Sequence, residues 1–84
     1  MVDSKSLVYI LESGHGSLYT GWTTDIDDRI KTHNSGQGAK YTRSRLPVKL
    51  VYFEEVEDRS AALKREAAIK KLTREKKLKL INSK

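Results

Sequence analysis

Apolar residues open the chain in two short runs, Leu7 to Leu11 and Leu18 to Trp22, parted by Glu12-Ser13-Gly14-His15-Gly16-Ser17. Runs of this length, containing Val, Ile and Tyr and separated by two glycines, read as the strands of a hairpin with a loop of about six residues. The two-residue period of a strand puts Tyr9 on one face with Leu7 and Leu11, and Tyr19 on one face with Gly21. With no side chain of its own, Gly21 leaves space beside Tyr19 that a ligand or another backbone can approach.

The pattern then turns helical. Thr24 followed by Asp27 resembles a capping box with Asp in place of Glu, and Asp25, Asp27 and Asp28 suit the positive end of a helix dipole. The helix is expected to end near Asn34-Ser35-Gly36, where Asn and Gly accept left-handed angles. Ile26 and Ile30 lie one turn apart and point to the core. Arg29 and His33 form a second such pair, within about 60° of the first isoleucine, on the rim of the buried stripe.

Ser35 to Pro47 reads as a loop, Val48 to Glu55 as a third strand, and Asp58 to Leu72 as a second helix with Asp58 as its N-cap. Thr73 caps a third helix carrying Leu78 and Ile81, unless Leu72 and Thr73 lie inside one continuous helix. The order β-β-α-β-α-α predicts an α+β fold, a small three-stranded, mainly antiparallel sheet flanked by helices. Eighty-four residues suffice for one modest core, so 1–84 is expected to be a single domain.

One polar residue interrupts this pattern. With Leu63 as zero on the wheel of the second helix, Ala67 falls near +40°, Ala62 near −100° and Ile69 near −120°, which sets Glu66 near −60°, inside the apolar arc. A carboxylate there must be paired, protonated or metal-bound, because burying it alone costs several kcal/mol. A salt bridge to a core-edge arginine such as Arg29 is the plain alternative to a metal.

Charge narrows the partners. Lys and Arg number 17 against 11 acids, a formal net charge of +6 and a pI of about 9.7. From Arg29 to Phe53 there are six basic residues and no acid; from Lys64 to Lys84 there are nine, against Glu66 and Glu75. Cations segregated in this way favour a polyanion, since each one placed on a phosphate releases condensed counterions; a solvated basic helix is the alternative for the second stretch. Lys40, Tyr41, Arg43 and Arg45 interleave cations with an aromatic ring in the long loop, which suits backbone contacts plus stacking on an unpaired base. The absence of cysteine excludes disulfides, thiolate zinc sites and thiol nucleophiles. No apolar run approaches the ~20 residues of a membrane helix, and 1–6 lacks a signal-peptide core, so a cytoplasmic location without membrane contact is expected.

The triplets Leu7-Val8-Tyr9 and Tyr19-Thr20-Gly21, followed by Arg29, His33 and Glu66, resemble the signature of the GIY-YIG nuclease family, and the resemblance runs from Leu7 to about Ile81. The first triplet lacks the leading glycine and the second has Thr for Ile, while both tyrosines and the final glycine stay. The resemblance implies a small bacterial endonuclease domain in which Glu66 binds one divalent cation, Mg²⁺ or Mn²⁺. It further implies that one of Tyr9 and Tyr19 accepts a proton from the attacking water, with Tyr9 preferred. The other tyrosine positions the water or the phosphate, Arg29 stabilises transition-state charge, and His33 relays a proton or binds phosphate. Larger members carry a second, target-choosing domain. Its absence here implies nicking with little sequence preference or action on branched or single-stranded DNA, with a homodimer or a protein partner supplying selectivity. The rival reading is a nucleic-acid-binding module that cleaves nothing or cleaves only with a partner.

Overall fold

The computed structural model describes residues 5–14, 16–36 and 47–83. Over them run β1 (Ser6–Ser13), β2 (Leu18–Thr23), α1 (Ile26–Asn34), β3 (Val48–Val56), α2 (Arg59–Lys70) and α3 (Arg74–Asn82), the expected order and an α+β fold. The strands form one sheet, β2-β1-β3, antiparallel at both pairings.

The apolar run in β1 is unbroken because the strand is central and covered on both sides. Val8 and Ile10 meet Tyr52 of β3 and Ala62 and Ile69 of α2, with Leu80 and Ile81 of α3 packed against them. Tyr9 and Leu11 meet Val48 on the opposite side, where Ile26 and Ile30 of α1 close over them. Each aliphatic side chain so buried contributes about 1.5–3 kcal/mol, and the two layers together fix where α1 and α2 sit.

Serving both layers requires β3 to turn over. Ile10 pairs with Tyr52 but Leu11 with Leu50, so Val51 is an extra residue, a β-bulge. In a regular strand Val48, Leu50 and Tyr52 would share a face. The bulge sends Val48 and Leu50 toward α1 and Tyr52 toward α2. The end of α1 is then tied down by Asn34, whose side chain accepts from the Val48 amide at 2.8 Å and donates to the Val48 carbonyl at 3.2 Å.

Two caps match expectation and one shifts by a residue. Asp58 accepts from the Ala61 amide and Thr73 from the Lys76 amide, so α2 and α3 are separate helices. The cap of α1 is Asp25, accepting from the Asp28 amide at 3.1 Å. Thr24 does not serve because the preceding Thr23 hydroxyl already bonds the Asp25 backbone on both sides, at 3.1 and 3.3 Å, and so places Asp25 at the helix entrance. On the far side of the sheet Glu54 accepts from Tyr52 and pairs with Arg65. That pair pins the rotation of α2 and turns the next residue, Glu66, the other way.

Candidate active site

Tyr9 stands directly opposite Gly21 in the β1–β2 ladder. A Cβ at Gly21 would lie 2.6 Å from the Tyr9 hydroxyl oxygen, 2.8 Å from Cζ and 3.2 Å from Tyr19 Cε2. The space expected beside Tyr19 for a ligand is therefore filled by the Tyr9 phenol. That ring crosses the neighbouring strand where there is no side chain, and its hydroxyl stops 3.3 Å from His33 Nε2.

The three rings form one cluster. Their centroids are 6.5 Å apart for Tyr9 and Tyr19, 6.3 Å for Tyr9 and His33, and 5.3 Å for Tyr19 and His33, the histidine meeting both tyrosines edge-on. His33 is not on the rim of α1 but its most buried residue, 1% exposed, because the tyrosines close over it; Arg29, one turn earlier, faces solvent.

The environment sets the protonation states. Burial raises the Tyr9 phenol far above its usual range, Tyr19 and Glu66 reinforce the shift, and Arg29 opposes it. Burial lowers His33 below 6.5 and Arg29 pushes the same way. At neutral pH the pair is thus a phenol beside a neutral imidazole. On acidification the unfolded chain takes up a proton that folded His33 resists, so the His33 contribution to stability is present above about pH 6.5 and is lost below it. Urea midpoints measured at pH 7.5 and 5.5 should fall less for His33→Gln than for the wild-type protein. Equal falls would mean that His33 titrates as it does in water.

Tyr9 and Tyr19 open with Arg29 and Glu66 onto one cleft of about 310 Å³, floored by Gly21 and Trp22. Glu66 lies at the edge of the buried arc rather than in its middle. Leu63, the chosen zero of the wheel, is 44% exposed and Ala67 is exposed too, so the arc centres on Ala62 and Ile69. The Glu66 side chain remains only 18% exposed and pairs at 3.6 Å with Lys70, one turn on, not with Arg29. Trp22, Thr23 and Thr24 also line the cleft; their place directly after Tyr19 and Gly21, at the end of β2 and just beyond it, is the sequence signal that marks them. Lys40, Tyr41, Arg43 and Arg45 lie outside the described residues.

Among the described residues no three His, Cys, Asp or Glu side chains gather to cage a metal. A hard ion does not need such a cage. Mg²⁺ binds through one or two carboxylates and keeps water or phosphate oxygens for the rest of its shell, and a lone carboxylate at the wall of a polar cleft fits that donor set. Glu66 would hold such an ion in place of the Lys70 ammonium.

The arrangement is an α+β domain in which one cleft joins both tyrosines with a guanidinium and a carboxylate. Residues 5–79 match the GIY-YIG catalytic domain model. The chain belongs to the GIY-YIG nuclease superfamily. It is 62% identical to a UPF0213 protein of Clostridium perfringens, over 92% of this chain and 83% of that one. A UPF0213 protein of Syntrophus aciditrophicus is 60% identical over 93% and 91%. Among solved structures, the UPF0213 protein BH0048 from Bacillus halodurans is 49% identical with a TM-score of 0.62, over 95% of this chain and 85% of that one. The protein EF2693 from E. faecalis is 44% identical with a TM-score of 0.67, over 96% and 86%. No helix among the described residues is long and apolar enough to cross a membrane.

Proposed function

We propose that this chain is a Mg²⁺- or Mn²⁺-dependent endonuclease that hydrolyses DNA phosphodiester bonds, by nicking or with selectivity for substrate structure. The observation that carries the reading is the shared cleft: Tyr9, Tyr19, Arg29 and Glu66, far apart in sequence, line one space with His33 directly behind the Tyr9 hydroxyl. Packing alone explains buried tyrosines, but it does not call for a guanidinium and a carboxylate beside them.

Tyr9 acts as a relay. Its raised pKa leaves no resident phenolate, so it serves as a base only by handing its own proton to His33 Nε2 as it takes one from water. His33, kept neutral at pH 7, is the acceptor for that proton. Tyr19 holds the water or the phosphate in line. Arg29, at the solvent-facing mouth, pairs its planar fork with two phosphate oxygens and gains strength as charge builds on them. A divalent ion on Glu66 would supply charge for the leaving 3′ oxygen.

A supercoiled-plasmid assay tests the reading. Purified protein is expected to yield open circles in Mg²⁺ and none in EDTA. Failure to nick plasmid, branched DNA and single strands alike would leave the rival reading, a domain that binds nucleic acid without cutting it.

A further inference from the structure

A second cleft, of about 360 Å³, opens beside the first. It is lined by Leu18, Tyr19 and Thr20 of β2, Lys70 of α2 and Lys77 of α3. Tyr19 and Thr20 point to opposite faces of the sheet, so a cleft touching both runs along the outer edge of β2, where no further strand pairs among the described residues. The two clefts meet twice. Tyr19 lines both of them, and Lys70 of the second stands 3.6 Å from Glu66 of the first.

The second cleft carries cations and no acid. Lys77 is half-buried while Lys76 and Lys79 are exposed, and it forms no ion pair among the described residues. Two ammonium groups in a groove whose lining holds no acid, one of them without an ion pair among these residues, are compensated by an anion with several acceptor oxygens.

We propose that this cleft holds a backbone phosphate of the DNA strand being cut, adjacent to the scissile one, with the strand crossing Tyr19 between the two sites. The proposal rests on the nuclease reading for its ligand, and binding alone tests it. Lys70 lines the second cleft but pairs with Glu66 of the first, which makes Lys77 the cleaner probe.

The experiment is fluorescence anisotropy of a labelled single-stranded DNA oligonucleotide in EDTA, from 50 to 200 mM salt. Loss of one phosphate contact in Lys77→Ala should reduce the slope of log affinity against log salt by about 0.7, equivalent to roughly fivefold weaker binding at 0.1 M salt. Lys77→Arg should keep the wild-type slope. Lys79→Ala removes the same charge from the far side of α3 and should keep it too. A wild-type slope in Lys77→Ala, or an equal loss in Lys79→Ala, overturns the subsite and leaves only diffuse attraction. If the wild-type protein binds no oligonucleotide, the DNA reading falls with it. If binding behaves as stated and the plasmid stays intact, only the hydrolytic reading is lost.

Discussion

Glu66→Gln is expected to bring nicking in Mg²⁺ down to the level left in EDTA, a loss of more than about a hundredfold, with little change in melting temperature. The substitution keeps size and shape and removes only the charge. A metal-held oxyanion is worth several kcal/mol in the transition state, and each 1.4 kcal/mol is about a factor of ten in rate. Stability should barely move, because the carboxylate's one ion pair among the described residues is with Lys70, whose side chain is 53% exposed. Ion pairs one helical turn apart contribute about 0.3–0.5 kcal/mol, a shift of roughly 2 °C for a domain of this size. Undiminished nicking by a folded Glu66→Gln protein would remove the carboxylate from the reaction. A collapse in melting temperature would instead make Glu66 a structural residue.

Gly21→Ala should damage fold and activity together. A methyl group 2.6 Å from the Tyr9 hydroxyl oxygen and 2.8 Å from Cζ cannot be accommodated unless the ring moves, and the ring is 2% exposed, held between the strands and α1. Overpacking of this kind costs about 1–3 kcal/mol, or roughly 4–20 °C in melting temperature. The displaced phenol also loses its 3.3 Å approach to His33, so the rate should fall further than the folded fraction does. Calorimetry and nicking rates on the same preparation separate the two effects. An alanine variant that melts and cuts like the parent would show that Tyr9 does not lie across Gly21 in solution.

The sequence was most legible where one period governed a whole element. Tyr9 with Leu11, and Tyr19 with Gly21, fall on the faces that a two-residue repeat assigns them. The helical wheel that marks Glu66 takes its centre from Leu63, which is not the core residue it resembles. Leu63 looks like core but is half exposed, and Glu66 kept its significance only because the true stripe, Ala62 and Ile69, borders it from the other side. The depth of His33 was not legible, since an angle from Ile26 says nothing of two tyrosines arriving from another element. The capping-box spacing points to Thr24, one residue short of the true cap Asp25, because nothing in the spacing shows that the Thr23 hydroxyl sets the helix entrance. The extra residue in β3 leaves no mark either, because Val51 sits among apolar neighbours without a glycine or proline.

That unmarked residue has a lasting consequence for how this protein can change. Upstream and downstream of Val51 the strand is in opposite phase, and each half supplies a different floor of the molecule. Exchanging one aliphatic group for another there leaves both floors standing. Dropping or adding a single position would swap inside for outside along half the strand, pull the platform from beneath α1 and carry the imidazole away from its phenol. Descendants of this chain are free to vary the letters in β3 but not their number.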